Sequence, residues 1–400
     1  MSLMRLLFVN YEFPPVGGGA AYASTATARE LVAMGHQIDF LTAATSGGQS
    51  DEEIDGVHVL RVRCHRRSVH DIGLLGALSF VAFAAPRLRA LVKHNRYDAI
   101  HYYFGLPTGL LSLVPGAHRR LPYIVSLRGS DVPGYTANLR QYHRLMMPFT
   151  RRIWRGAHRV IANSQNLQRL AAASLPGLRI DVILNGAAVP EPTGVEPQAR
   201  SGGRILTVSR LIERKGLDTL IRALACSRDR TLSLDIAGEG PEGPALHRLA
   251  TSCAVADRVR FHGFVDRAQL ASLYAHADLF ALVSRAESCS MAMLEAMTAG
   301  LPIVATKVGG NVELIQQQVN GLLVESENVA ALENALSTLA ADPERRRRFG
   351  IANREQVALR HGWRSVAQRY EAVFKEMART PAALATAARL GMLQRRGVDP

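Results

Sequence analysis

The stretch ALVSRAESCSMAMLEAMTAGLPIVATKVGGNVELI, residues 281–315, carries a strand, a helix and a second strand in close succession. Apolar ALV ends a buried strand, and MAMLEAM has helical spacing with Ser288 or Ser290 placed to cap it. Gly300 stops that helix, Pro302 bars its continuation, and IVAT resumes a strand. Glu287 therefore falls in a strand-to-helix loop and Glu295 inside the helix. The first amides of a helix lack internal partners, and its dipole favours anions at the same end. Two carboxylates that accept hydroxyl groups, with phosphate donors between them, suit a sugar and a ribose flanking a diphosphate. The competing reading is two carboxylates at the end of an ordinary surface helix.

Outward from this stretch, the second half of the chain repeats one layout. RILTVSRLIERKG (204–216) is a strand followed by Arg210 and Lys215-Gly216, then the helical LDTLIRAL. Both cations fall at the C-terminal edge of a parallel strand, where open α/β sheets bind ligands. Arg offers a planar fork to two phosphate oxygens and Lys a compact charge on a long stem. LSLDIAGEGPEGPAL (232–246) gives strand, a turn at Gly238, and helix; RVRFHGFVD (258–266) runs into a loop containing Phe264. Gly309, Gly310 and Glu313 lie at the same edge. Arg345 to Arg348 read as a solvated helix face.

The first half has the same βαβ rhythm. RLLFVNYEF (5–13) is a buried strand, and Gly17-Gly18-Gly19 precede a helix that stops at Gly35 before IDFLTA (38–43). The glycines do not match G-x-G-x-x-G, and the second strand ends in Thr42-Ala43-Ala44 without an acid for an adenosine ribose, so a nicotinamide dinucleotide is disfavoured. AIHYYFG (99–105) and YIVSLRGSDVPG (123–134) are further strands with loops at their ends, and a long helical region spans 142–155. The least structured composition is at 190–203. The expected organisation is a domain over 1–190, a linker over 191–203, a domain over 204–362, a helix over 363–380 with one apolar stripe, and a poorly anchored tail over 381–400.

Composition narrows the class. Four hundred residues with 48% hydrophobic and 20% charged side chains build large cores and are not disordered. The net charge of +14 is uneven, with 21 Lys/Arg against 11 Asp/Glu in residues 1–190 and 27 against 23 in the rest. A zinc-finger spacing and an RNA-binding signature are missing and few aromatics interleave with the basic residues, which disfavours nucleic acid. Cys64, Cys226, Cys253 and Cys289 form no C-x-x-C pair and suggest no disulfide framework. Met1-Ser2-Leu3 runs straight into a strand without a signal-peptide pattern. The apolar run Ile72–Ala85 ends at Pro86 and is too short to span a bilayer. It is flanked by Arg61, Arg63, Arg66 and Arg67 before and by Arg87, Arg89, Lys93 and Arg96 after. That pattern fits either a core helix with solvated neighbours or a segment lying on an anionic membrane. A cytoplasmic protein, or one peripheral to the inner face of the membrane, is expected.

Glu287 and Glu295, with seven residues between them, resemble the E-x7-E motif of the family 4 retaining glycosyltransferases. That resemblance covers nearly the whole chain. It implies the GT-B architecture: two Rossmann-like domains with parallel sheets facing a central cleft, the first for the acceptor, the second for the donor, and a C-terminal helix crossing back to the first. It further implies that Glu287 addresses the transferred sugar, that Glu295 holds the ribose, and that Arg210 and Lys215 hold the diphosphate. Gly17, Gly18, Gly19, Gly238 and Phe264 then border the donor. The usual Glu-Gly-Phe-Gly is here Glu287-Ser288-Cys289-Ser290, so side chains stand where backbone normally approaches the ligand. On the acceptor side, Asp98 and His101 fit a D-x-x-H strand. Arg128-Gly129-Ser130-Asp131 replaces a strand ending in His-Gly, which leaves His101, Arg128 and Asp131 as acceptor-side residues.

The implied reaction moves a hexosyl or N-acetylhexosaminyl group from a nucleotide-sugar to a hydroxyl with retention, in cell-surface glycan or secondary-metabolite biosynthesis. A UDP-sugar is placed ahead of a GDP-sugar. The acceptor is a saccharide, a lipid-linked molecule or a small metabolite. No Asp-x-Asp occurs, so neither metal nor cofactor is expected, and charge on the leaving diphosphate falls to Arg210, Lys215 and the helix end. A nucleotide-sugar epimerase of the same shape, and a nucleotide-sugar-binding protein without activity, stay open as alternatives.

Overall fold

Leu6, Leu7, Phe8 and Val9 are fully buried, as a strand covered on both faces requires. In the computed structural model, which describes residues 3–44, 50–66, 72–116, 121–189 and 203–378, they form the central strand of an eight-stranded sheet. Its elements are β1 (Arg5–Val9), α1 (Gly19–Ala33), β2 (Gln37–Ala43), β3 (Ser50–Ile54), β4 (Val57–Val62), α2 (Gly73–His94), β5 (Ala99–Tyr103), a 3-10 segment (Thr108–Leu113), β6 (Tyr123–Leu127), α3 (Arg140–Gly156), β7 (Arg159–Ala162), α4 (Gln165–Ser174) and β8 (Ile180–Val182). The strand order is β3-β4-β2-β1-β5-β6-β7-β8, parallel throughout except for β3.

A second sheet of six parallel strands follows. It is built from β9 (Arg204–Val208), α5 (Leu217–Cys226), β10 (Ser233–Ala237), α6 (Gly243–Ser252), β11 (Val259–Gly263), α7 (Arg267–His276), β12 (Leu279–Leu282), α8 (Met291–Thr298), β13 (Ile303–Thr306), α9 (Asn311–Leu314), β14 (Gly321–Val324), α10 (Val329–Ala341) and α11 (Pro343–Arg360). The order β11-β10-β9-β12-β13-β14 places β9 beside β12. Helix α12 (Trp363–Ala378) ends the described chain.

The chain divides into two compact units, one up to Leu184 together with the chain from Trp363, the other from Asn185 to Gly362. Each is an α/β unit with a parallel sheet. Val366, Ala367, Tyr370, Phe374 and Met377 of α12 join the core of the first unit, where Tyr370 and Phe374 lie against His101. His36 Nδ1 accepts from the Met4 amide at 3.2 Å, so its Nε2 carries the proton toward Glu371 at 3.0 Å.

Three features depart from the sequence reading. The second unit begins at Asn185, before residue 191, because Ala187 pairs with His361 and Asn185 Nδ2 donates to the Cys289 carbonyl at 2.9 Å. Helix α2 continues through Pro86 to His94, so among the described residues it alone is long and apolar enough to cross a membrane. Pro86 and Ala82 are both exposed, and water can satisfy the carbonyl that loses its amide partner. The acidic segment that begins at Asp51, whose composition reads as a loop ahead of the strand VHVLRV, contains β3, an antiparallel edge strand paired to β4. Arg67, most of the 191–203 linker and the 381–400 tail lie outside the described residues.

Candidate active site

Because β9 and β12 are paired neighbours, the loops leaving their C-terminal ends adjoin. The first carries Arg210 and a 3-10 turn, Glu213–Lys215; the second carries Ser284 to Ser290. Gly216 adopts φ +65°, and a Cβ there would come within 2.3 Å of the Val283 carbonyl oxygen. This close approach sets Lys215 against the second loop.

Lys215 Nζ donates to Glu287 Oε2 at 2.5 Å, with side-chain exposures of 13% and 9%. Ser284 Oγ donates to the same oxygen at 3.1 Å, and the Ser288 amide donates to Oε1 at 3.2 Å. Burial pushes the Glu287 carboxyl up, but the charges of Lys215 and Arg214 and the bonds from Lys215 and Ser284 outweigh it, leaving it below its ordinary range. Burial pulls the Lys215 ammonium down, and Glu287 opposes that shift. The carboxylate thus counters the loss of the ammonium's charge that burial favours.

Gly309 and Gly310 hold Glu287 from behind. The Gly310 amide donates to the Glu287 carbonyl at 3.2 Å, and Gly309, at φ +50°, approaches so closely that a Cβ would lie 1.7 Å from that oxygen. Glu313 follows, half-buried in α9. Arg214 Nη1 donates to the Ala286 carbonyl at 2.7 Å, and the Arg285 amide donates to the Arg214 carbonyl at 2.8 Å. The Arg285 side chain donates to the Glu213 carbonyl, to Asp218 at 2.9 Å and to Glu327 at 2.8 Å. Its guanidinium therefore ties the Lys215 turn to the Glu287 loop.

Ser290 caps α8, its Oγ accepting from the Met293 amide at 3.2 Å. Ser288, Cys289 and Ser290 are all buried. Glu295 lies one turn into α8, where burial raises its carboxyl above the ordinary value and a hydrogen bond from Tyr274 opposes the rise. Arg210 is exposed and forms no ion pair among the described residues. Gly238 closes the β10 turn, its amide donating to the Gly263 carbonyl at 2.8 Å. Phe264, 61% exposed, is held by its amide to Glu239 Oε1 at 3.1 Å.

Within the first unit, Gly17 to Gly19 lie at the start of α1, and Glu12 Oε2 accepts from the Gly18 amide at 3.4 Å. Glu12 was not singled out by sequence. His101, expected on the acceptor side, is wholly buried in β5, stacked on Tyr103 at 4.1 Å and bonded to Ser126 Oγ at 2.7 Å. Asp131 is buried too, its carboxylate accepting from the amides of Gly105, Arg128 and Gly129 at 2.7, 2.9 and 3.0 Å. It shapes the loop that carries Arg128, whose guanidinium lies 4.7 Å above the Tyr103 ring.

Residues 17–186 match the family model for a glycosyl transferase 4-like domain, and residues 197–356 match that for glycosyl transferases group 1. Together the two family models, one over each parallel-sheet unit, indicate a glycosyltransferase of the GT-B fold. The chain belongs to the family 4 type, the group 1 glycosyltransferases. It is 29% identical over 392 residues to a GDP-mannose-dependent alpha-(1-6)-phosphatidylinositol monomannoside mannosyltransferase of Mycobacterium tuberculosis, covering 91% of this chain and 96% of that one. It is also 29% identical over 404 residues to a D-inositol 3-phosphate glycosyltransferase of Kribbella flavida, covering 92% of each. Among solved structures, sucrose-phosphate synthase from Thermosynechococcus elongatus superposes with a TM-score of 0.79 at 21% identity, over 94% of this chain and 99% of that one. Anabaena HepE, in complex with UDP and glucose, gives 0.72 at 23% identity, over 93% and 99%.

Proposed function

We propose that this glycosyltransferase moves a hexosyl or N-acetylhexosaminyl group from a nucleotide-sugar to an acceptor hydroxyl with retention and without a metal ion. The observation that carries the reading is the buried contact between Lys215 and Glu287, with Arg210 exposed on the same strand edge. As the bond from the anomeric carbon to the phosphate oxygen breaks, negative charge gathers on the diphosphate. Lys215 and Arg210 supply fixed positive charge there, in a site whose low dielectric strengthens the attraction. Glu287 takes the hydroxyls of the transferred sugar and Glu295 those of the ribose. Arg128 and Asp131 are assigned to the acceptor and the Gly17–Gly19 turn to the donor.

A UDP-sugar is the first donor to test. GDP-mannose is the second, favoured by the printed donor of the M. tuberculosis relative. That name and that of the K. flavida relative point to a lipid-linked saccharide or an inositol phosphate as acceptors to try, within glycan or secondary-metabolite biosynthesis. The proposed location is cytoplasmic, at the inner face of the membrane.

Purified protein offered UDP- and GDP-sugars with these acceptors, followed by proton NMR of the anomeric centre, tests the reading. A product with the donor's anomeric configuration, formed equally with chelator present, supports it. Inversion, a need for added divalent metal, or epimerised donor without acceptor refutes it.

A further inference from the structure

The first unit carries a cationic helix that its own core leaves uncovered. Helix α3 has an inner face of His143, Thr150, Ile153 and Trp154, and these are buried. Its outer face exposes Arg140, Arg144, Arg151, Arg152 and Arg155, none of which forms an ion pair among the described residues. No Asp or Glu occurs between Asp131 and Asp181. At about 100° per residue, Arg140, Arg144, Arg151 and Arg155 share about 60° of arc, while Leu145 and Phe149 emerge beyond Arg152. Those two apolar side chains are 76% and 47% exposed.

Helix α2 adds an apolar stripe. Leu74, Leu75, Leu78 and Phe83 are 67%, 78%, 56% and 39% exposed, and the exposed positions Ala82 and Pro86 continue the row toward Arg89 and Lys93. Both helices pack on the same 3-10 segment, Thr108–Leu113, so they flank it within one unit.

We infer that this surface of the first unit docks on an anionic phospholipid bilayer, α2 supplying apolar insertion and α3 the attraction to lipid headgroups. A strongly cationic polar arc beside exposed leucine and phenylalanine is the composition of a helix lying in the plane of a membrane interface. Nucleic acid fits less well, since leucines offer no stacking face for bases. A second copy meeting face to face would set arginines against arginines. The assignment deepens the location proposed above and stands apart from the transfer reaction, because lipid binding is measured without donor or acceptor.

Flotation of the full chain with phosphatidylcholine vesicles, with and without phosphatidylglycerol, is the test. The parent chain floats with the anionic vesicles only and is released by salt. Arg144→Gln, Arg151→Gln and Arg152→Gln together lower the partition coefficient about a hundredfold, at about fivefold for each cation near the surface. Leu145→Asn with Phe149→Asn, and separately Leu74→Asn with Leu78→Asn, each lower it about tenfold or more. All these positions are solvent-exposed, so thermal melting of the variants matches the parent. Equal partition to neutral and anionic vesicles, no partition, displacement from vesicles by stoichiometric RNA, or parent-like binding by the arginine variant overturns the inference.

Discussion

Tyr274 of α7 reaches Glu295 of α8, its hydroxyl lying 3.1 Å from Glu295 Oε2 and 3.1 Å from the Ala292 carbonyl. One phenolic proton serves two acceptors, and burial disfavours the charged carboxylate, a shift that the Tyr274 hydroxyl and the charge of Arg267 oppose. The folded-state carboxyl is raised above 4.5. The folded protein therefore binds this proton more tightly than the unfolded chain, and the associated stability is lost as pH rises through the folded value. Glu295→Gln keeps an acceptor for Tyr274 and removes the charge. It is expected to melt several degrees higher at neutral pH, at about 2–4 °C per kcal/mol, with the gain fading as pH falls to 4.5. The same variant loses donor affinity. A scan showing no gain, or a gain that persists in acid, contradicts this.

Lys215→Ala removes the charge proposed to face the leaving group and takes from Glu287 its ion-pair partner. Turnover is expected to drop about a hundredfold or more, and added magnesium does not restore it. Steady-state rates with and without magnesium decide the matter, and rescue would reassign the role.

Glu287→Gln removes the carboxylate that opposes the downward shift of Lys215. Nucleoside diphosphate binding, followed calorimetrically across alkaline pH, is expected to fail at lower pH in the variant than in the parent. An unmoved alkaline limb would separate Lys215 from diphosphate binding.

Arg285 is a positioning residue: its guanidinium ties the Glu213 carbonyl of the Lys215 turn to Asp218 and Glu327. Arg285→Gln is expected to lower kcat ten- to a hundredfold with a smaller change in KM, since a small displacement of reacting groups carries penalties of that order. Arg285→Lys recovers little, because one ammonium cannot span a carbonyl and two carboxylates. Full recovery by lysine would reduce the role to simple charge.

Gly309→Ala forces a methyl to within 1.7 Å of the Glu287 carbonyl oxygen unless the loop moves. Activity is expected to fall about a hundredfold while the circular dichroism spectrum stays native, as the displacement is confined to the site. Near-parent activity would show that the loop shifts without consequence.

Glu287 in a loop, Glu295 in a helix and the capping role of Ser290 were readable because glycine, proline and serine punctuate residues 281–315. So were Arg210 and Lys215, which follow an apolar strand. Their partners were not: Tyr274 and Arg285 carry no local mark, and Asn185 meets Cys289 only through the fold. His101 sits in an apolar strand, where its type suggests a ligand and only packing shows that it faces Phe8 and Tyr370. Strand β3 escaped because SDEEI lacks any apolar alternation, its four polar residues all being exposed. Pro86 reads as a break, yet it lies at an exposed position inside a helix, as does Pro148, which falls within the helical region expected over 142–155.

Helix α12 has a consequence for how this chain is made. Phe8 and His101 emerge from the ribosome early, but Tyr370 and Phe374, which cover them, are synthesised only after the whole of the second unit. The first sheet to be translated is thus the last to be sealed, and the intervening unit can reach its native state while the opening one still waits for its lid. Quality control of the nascent protein accordingly falls on the first unit, whose sheet stays sticky until the chain has been made through Met377.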